Sequence, residues 1–313
     1  MANYGYLQIT RQCNQKCRFC SNPPADQELT LSKAKAIIDK HISQGCAGII
    51  FTGGEPTLFK KIAELILYCS GKKIDCKIIT NAQKLADKKF LDKLVKAGLR
   101  QFHISFYSYK SKTQNFLSGN NDSFKNLKLA LNNLSKRKDV SVAINTVINK
   151  YNAGHLYKNA EWLLENFPFI NHFVWNNLDP ASDQAIKYQD TTPRLNDFEL
   201  ELKKATDFLI KNNKSFRVER VPLCYMPGFE HFSTETRKIV KSESRNIYFL
   251  DDKKKYFVEE KWGYGKAECC QVCKLHDICA GLYEMDNHYD SKELYPVFIE
   301  PQSIIDKIIN SGG

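Results

Sequence analysis

The feature that most constrains this chain is a regular alternation in its first 175 or so residues. Short apolar runs, Tyr6–Thr10, Gly48–Thr52, Cys76–Thr80, Gln101–Phe106, Val140–Ile148 and Ile170–Trp175, read as strands. Between them lie helical patterns at Ser32–Ser43, Leu58–Ser70, Ser123–Lys136 and His155–Asn166, and one starting at the N-cap Asp87 and stopped by Gly98. A further helix is expected over Asp197–Lys211. Strand–helix alternation implies parallel strands joined by right-handed crossovers. Six units are too few for a closed eight-fold barrel. A doubly wound sheet and a partial barrel both satisfy the pattern.

After about residue 212 the rhythm stops. Charge becomes dense (Lys253-Lys254-Lys255, Glu259-Glu260-Lys261), and strand-like pieces appear at Phe216–Val221 and Asn246–Leu250. Five of the eleven cysteines fall in this last third. The expected division is therefore 1–211 for the repeating unit and 212–313 for a C-terminal appendage. No run approaches the roughly 18 apolar residues of a membrane span, and no basic segment followed by an apolar run opens the chain. The expected compartment is the cytoplasm. There, grouped cysteines read as metal ligands or reactive thiols, and an odd count excludes complete pairing. The net charge of +11 raises a nucleic-acid partner, but only nine of the 46 basic residues are Arg, and the Lys are scattered along helical faces. That pattern fits a solvated surface better than a phosphate-reading one.

Directly after the first strand stands Cys13-Asn14-Gln15-Lys16-Cys17-Arg18-Phe19-Cys20. A loop at the carboxyl end of a parallel strand is where α/β folds place active sites. Three thiols within eight residues can wrap one soft metal centre. Structural zinc usually takes four ligands from paired knuckles, whereas iron–sulfur clusters take thiolates from such runs. Three ligands leave one metal corner open for chemistry.

This C-x3-C-x2-C run resembles the radical S-adenosylmethionine (AdoMet) superfamily, and the resemblance extends over roughly residues 4–210. Gly53-Gly54-Glu55-Pro56 after the second strand looks like that superfamily's AdoMet loop. Thr80-Asn81 and Ser105 end the third and fourth strands where relatives contact AdoMet. The resemblance implies a partial (β/α)6 TIM-like barrel, α/β in class and open on one side. It implies that Cys13, Cys17 and Cys20 hold a [4Fe-4S] cluster whose fourth iron is chelated by AdoMet. It also implies reductive cleavage to methionine and a 5′-deoxyadenosyl radical that abstracts a substrate hydrogen. Gly53 and Gly54 would let the backbone approach the ligand, Glu55 would contact the AdoMet amino group, and Phe19 would lie beside the adenine. Ser105 and Asn145 are candidates for the ribose and methionine carboxylate. For Asn145 an ordinary strand residue satisfied by neighbours is the competing reading.

The second dense group is Cys269-Cys270-Gln271-Val272-Cys273-Lys274-Leu275-His276-Asp277-Ile278-Cys279. Its spacing resembles the auxiliary-cluster domains called SPASM and twitch. A further Cys of the full SPASM pattern is Tyr283 here, and the upstream pair is reduced to Cys224. One auxiliary [4Fe-4S] cluster on Cys224, Cys270, Cys273 and Cys279 is the economical count, with Cys269 as a spare that could replace Cys270. Zinc is the alternative metal. Four protein ligands would leave no open iron, which favours electron relay. Cys46, Cys69 and Cys76 stand alone and read as core thiols.

For the substrate, a peptide or protein side chain stands first and a nucleotide, sugar or amino acid second. A nucleic acid comes third and leaves the Gly-Gly-Glu-Pro loop unexplained. The chain begins almost at its first strand, so peptide-leader recognition would need a separate leader-binding protein. Reduction would need an external donor of the flavodoxin or ferredoxin type. Glu219, Arg220 and Tyr225, joining barrel to appendage, and Asn176 after the sixth strand are candidate substrate contacts. Gly312-Gly313 echoes the double-glycine tail of one family member.

Overall fold

The computed structural model describes residues 4–250 and 255–311. The terminal Gly312-Gly313 and the lysines at 253 and 254 lie outside them. Nine strands form one sheet: β1 Tyr4–Thr10, β2 Gly48–Gly53, β3 Asp75–Thr80, β4 Gln101–Ser105, β5 Ser141–Ile148, β6 His172–Asn177, β7 Ser215–Glu219, β8 Arg245–Tyr248 and β9 Tyr256–Glu259. Their spatial order is β7-β6-β5-β4-β3-β2-β1-β8-β9, and every pair is parallel except β8 with β9. The α-helices are α1 Leu31–Ser43, α2 Ile62–Gly71, α3 Lys88–Lys96, α4 Ser111–Ser118, α5 Ser123–Ser135, α6 Leu156–Asn166, α7 Asp183–Lys187, α8 Leu195–Lys211, α9 Thr234–Lys241 and α10 Gln302–Asn310.

The six expected units are present, and the partial TIM-like barrel is the fold. The strand-like pieces assigned to the appendage differ in place. The first becomes β7, a seventh parallel strand on β6, and the second becomes β8, parallel to β1. The lapse in βα rhythm hid their place in the sheet, because the connection from β7 to β8 holds only two single-turn 3₁₀ segments and the short helix α9. The hydrogen-bonded sheet does not close: the outer edge of β7 carries only an isolated bridge from Val218 to Ser233. Side chains span the gap instead, with Arg245 of β8 lying 3.7 Å from Glu219 of β7 and 3.7 Å from Glu259 of β9.

Strand alternation sorts the two faces of the wall. Cys76, Ile78 and Thr80 of β3 are buried on the helix side. The main core lies there, with Leu7, Ile49, Phe51, Phe102 and Ile144 meeting Ala34 and Ile38 of α1, Leu65 of α2 and Leu131 of α5. The intervening positions, Lys77 and Ile79, face the lumen. Helix starts follow the expected chemistry: the Asp87 carboxylate accepts the Lys89 N–H, and Thr30 accepts that of Lys33. The short helix α4, unmarked by a cap in the sequence, turns the chain back after β4. No helix among the described residues is long and apolar enough to cross a membrane.

Candidate active site

The loop that leaves β1 carries Cys13, Cys17 and Cys20 across the carboxyl ends of the strands. It is anchored to the end of α4: Lys16 N donates to Ser118 O (2.9 Å) and Arg18 N to Leu117 O (3.0 Å). Gly119, in the left-handed region at φ +59°, makes this approach feasible, since a Cβ there would stand 2.7 Å from Lys16 O. The three cysteines are only partly exposed and unpaired.

Their surroundings are consistent with an all-sulfur site. The Cys13 sulfur accepts from Gln15 N (3.4 Å) and Asn81 Nδ2 (3.8 Å), and the Tyr107 hydroxyl is 3.8 Å from the Cys17 sulfur. Burial pushes the Cys13 thiol up to about 11, with the charges of Glu55 and Cys20 adding to the rise. Burial likewise raises Cys17, which feels both Cys20 and Cys13. Cys20 is raised by burial and eased by an Asn22 backbone bond and by Arg11. In this desolvated loop, where the thiolates of Cys13 and Cys17 would each feel the charge of Cys20, ionisation needs a positive centre alongside, which a soft metal cluster would provide. Among the described residues, no three His, Cys, Asp or Glu side chains converge as one ion would require. The run of three soft thiols suits a multi-iron cluster, which would take each sulfur on a different iron.

Next to them lies the Gly53-Gly54-Glu55-Pro56 loop. The two glycines serve a close contact between two loops. A Cβ on Gly53 would stand 2.2 Å from Thr10 O, and one on Gly54 2.4 Å from Gln12 O. They let the β2 loop press against the cysteine loop, joined by Gly54 N to Thr10 O and Glu55 N to Gln12 O, both 2.7 Å. Glu55 is 1% exposed. Its Oε1 accepts from Thr57 N (3.0 Å), Thr57 Oγ1 (2.6 Å) and Thr80 Oγ1 (2.6 Å), and its Oε2 accepts from Asn81 N (2.7 Å). Glu55 therefore clamps the ends of β2 and β3 together. Burial raises its pKa, and those four bonds pull it back. Pro56 opens the short 3₁₀ turn over Pro56–Leu58 that follows.

Ser105 and Asn145 are register partners on β4 and β5. Asn176 Nδ2 donates to Asn145 Oδ1 at 2.6 Å. Phe19 is buried, its ring edge-on to Tyr107 at 4.8 Å. Asn145, Asn176 and Glu219 line one lumen cavity of about 670 Å³. Tyr225 lies outside that lining: it is 1% exposed, and its hydroxyl donates to Glu293 O (2.7 Å) and Asn196 Oδ1 (2.9 Å). Arg220 adopts φ +58° and lies over the Tyr283 ring at 5.0 Å. The buried Glu235 holds it there by accepting from Arg220 N at 2.9 Å. Burial, then the charge of Glu219, raises the Glu235 carboxyl. Glu235 and Tyr107 escaped the sequence reading, since neither lies in a motif.

In the C-terminal part, Cys224, Cys270, Cys273 and Cys279 line one small cavity with Leu223 and Tyr295. Cys273 accepts from Val297 N and Cys279 from Gly281 N, both at 3.3 Å. Cys269 is outside that lining: its thiol donates to Leu294 O at 3.5 Å while staying close enough to Cys270 to raise it. The His276 Nδ1 is spent on Cys270 O at 2.8 Å. Tyr283 packs edge-on to Tyr264. Cys46, Cys69 and Cys76 are buried free thiols.

The Radical SAM superfamily profile matches residues 7–163, half of the 313-residue chain. The chain is 29% identical over 154 residues to the PqqA peptide cyclase of Bradyrhizobium diazoefficiens, covering 48% of this chain and 40% of that protein. It is 33% identical over 148 residues to the Fe-coproporphyrin III synthase of Methanosarcina barkeri, covering 46% and 36%. The matched stretch thus spans well under two thirds of these relatives. In fold it resembles SuiB of Streptococcus suis bound to S-adenosylmethionine (TM-score 0.64, 20% identity, 90% of this chain and 73% of that). It also resembles native anSMEcpe with bound AdoMet (TM-score 0.64, 19% identity, 98% of each chain). From the loop of three thiols, the barrel that presents it and the matched profile, the chain belongs to the Radical SAM superfamily and is an enzyme of that [4Fe-4S] and S-adenosylmethionine chemistry.

Proposed function

We propose that this enzyme cleaves S-adenosylmethionine reductively and abstracts a hydrogen from a peptide or protein side chain. The observation that carries the reading is the gathering of Cys13, Cys17 and Cys20 against the Gly53–Pro56 loop and the Thr80-Asn81 strand end. Peptide substrates are supported by the relatives' names: a PqqA peptide cyclase, and SuiB, also solved bound to its precursor peptide SuiA. A small molecule is the second reading, supported by the coproporphyrin synthase and by the size of the lumen cavity.

When bound, the cluster supplies the electron that breaks the sulfonium S–C5′ bond. The chain's own residues bind and orient. Cys13, Cys17 and Cys20 would hold three irons, and Tyr107 and Asn81 would direct their hydrogens at the sulfurs. Glu55 would fix the strand ends that receive AdoMet, with Ser105 and Asn145 on the neighbouring strands. Phe19 and Tyr107 would shield the site from water. The C-terminal cysteines would hold one auxiliary [4Fe-4S] cluster as an electron relay. Cys270 is the preferred ligand because it lines the cavity with Cys224, Cys273 and Cys279, and Cys269 does not. An external flavodoxin- or ferredoxin-type donor would supply the electron. Glu219 and Asn176 are the better placed of the substrate contacts, since both line the lumen.

The test is anaerobic reconstitution. The expected result is about eight irons if both clusters are four-iron, and 5′-deoxyadenosine released on reduction. Cys17→Ala should abolish that release, and its persistence would overturn the reading. Cys273→Ala should keep AdoMet cleavage and lose product. Unchanged product would exclude the relay.

A further inference from the structure

The lumen cavity carries an imbalance that the chemistry above does not use. On its lining, Lys77 of β3, His103 of β4, His172 of β6, Arg217 of β7 and Arg237 of α9 follow one another near the amino ends of the strands. They are close enough to depress one another. Burial first, then Lys77, lowers His103 to about 4. Burial first, then His103, Arg217 and Lys77, lowers His172 to about 3. Arg217 is lowered to about 10 by burial and by Arg237.

Carboxylates in the lining are already engaged. Glu219 takes Arg245 at 3.7 Å, and Glu243 takes Lys238 at 3.9 Å. Among the described residues, Lys77, Arg217 and Arg237 have no carboxylate within ion-pair distance. Asp75 and Glu243 act on them only from farther away. The guanidinium groups are also under-bonded. Arg217 Nη1 donates to Phe216 O (2.8 Å) and Arg237 Nη1 to Ser311 Oγ (2.9 Å), while the Nε of each is buried without a partner. Arg237 is only 3% exposed, and the buried hydroxyl of Thr234 beside it is also unpartnered. Desolvated cations without counter-ions are costly.

We propose that the floor of the barrel is an anion site. Lys77, Arg217 and Arg237, with Thr234, His103 and His172, take a carboxylate or phosphate carried by an organic ligand whose remainder extends up the lumen toward Asn145 and Asn176. From Lys77 to Asn81 is four strand residues, about 13 Å at ~3.3 Å each. A ligand anchored at the floor and reaching the cysteine loop is therefore longer than a free amino acid. This inference does not depend on the identity of the reacting carbon or on AdoMet cleavage.

The test is thermal unfolding of the full chain, purified anaerobically, in inorganic phosphate or acetate against chloride at matched ionic strength. A saturable rise in Tm with either anion is expected, and the arm that responds names the chemistry. In Arg217→Gln/Arg237→Gln the apparent affinity should weaken about tenfold or more, whereas the surface pair Lys88→Gln/Lys89→Gln should leave it unchanged. Lys77→Met provides the same comparison if the double variant does not fold. In chloride alone, Arg237→Met should be no less stable than the parent, because it removes an uncompensated charge. No anion-specific rise, or a rise that persists in both lumen variants, would overturn the proposal.

Discussion

The Tyr107 hydroxyl, just past the end of β4, stands 3.8 Å from the sulfur of Cys17, ninety residues away in sequence. A hydrogen bond to a cluster thiolate stabilises the more negative, reduced state. Tyr107→Phe should therefore make the cluster potential more negative. A bond of about 0.5–1.5 kcal/mol corresponds to roughly 20–60 mV for one electron. An EPR-monitored redox titration checks it. An unchanged potential with unchanged iron content would show that Tyr107 only packs against Phe19.

Glu55 is the buried clamp between the ends of β2 and β3. Glu55→Gln keeps the shape but brings two N–H donors into a pocket of donors, setting them against Thr57, Thr80 and Asn81. The expected cost is about 2–4 kcal/mol in urea unfolding, together with weaker AdoMet binding. Wild-type stability in this variant would mean that the carboxylate is not the clamp.

Gly54→Ala tests the contact between the two loops. Its Cβ would fall 2.4 Å from Gln12 O and 2.5 Å from Arg11 O, backbone atoms that have no room to yield. The cysteine loop should shift, and iron content after reconstitution should fall by about four atoms per chain. Gly154→Ala, where nothing lies within 4 Å, is the matched control and should retain full iron.

Acid should destabilise the fold well above the range where carboxylates protonate. Burial holds His41, His103, His155 and His231 near about 4, and His172 near about 3. Below the unfolded value of ~6.5, the unfolded chain takes protons that the native one refuses. Stability is thus intact above ~6.5 and is lost as pH falls toward 4. Each such group contributes a slope of up to ~1.4 kcal/mol per pH unit. Denaturant midpoints at pH 7 and pH 5 measure the summed slope. His103→Gln, which removes one titrating group, should flatten it.

The alternation of strands and helices was legible because period and punctuation are local properties. So were the two cysteine sets and the Gly-Gly-Glu-Pro loop, since each is compact in sequence. What escaped is assembled across strands. Lys77 reads as an ordinary exposed lysine until the register of β3 turns it into the lumen. Glu235 and Arg220 meet only because a residue at φ +58° offers its N–H to a buried helix. The strands β7 and β8 were visible as apolar pieces, but their place in the sheet depends on pairing with β6 and β1, which no local pattern encodes.

The pairing of Arg245 with Glu219 has a consequence for size. Two laddered strands are held about 4.8 Å apart. Here the wall is completed by one guanidinium reaching a carboxylate at 3.7 Å across a gap with no backbone bond between the two strands. The girth of the chamber at this seam thus depends on side-chain reach and on the α9 segment that also braces β7, and not on a strand ladder. A relative with a shorter or longer residue there would hold a differently sized guest without gaining or losing a strand.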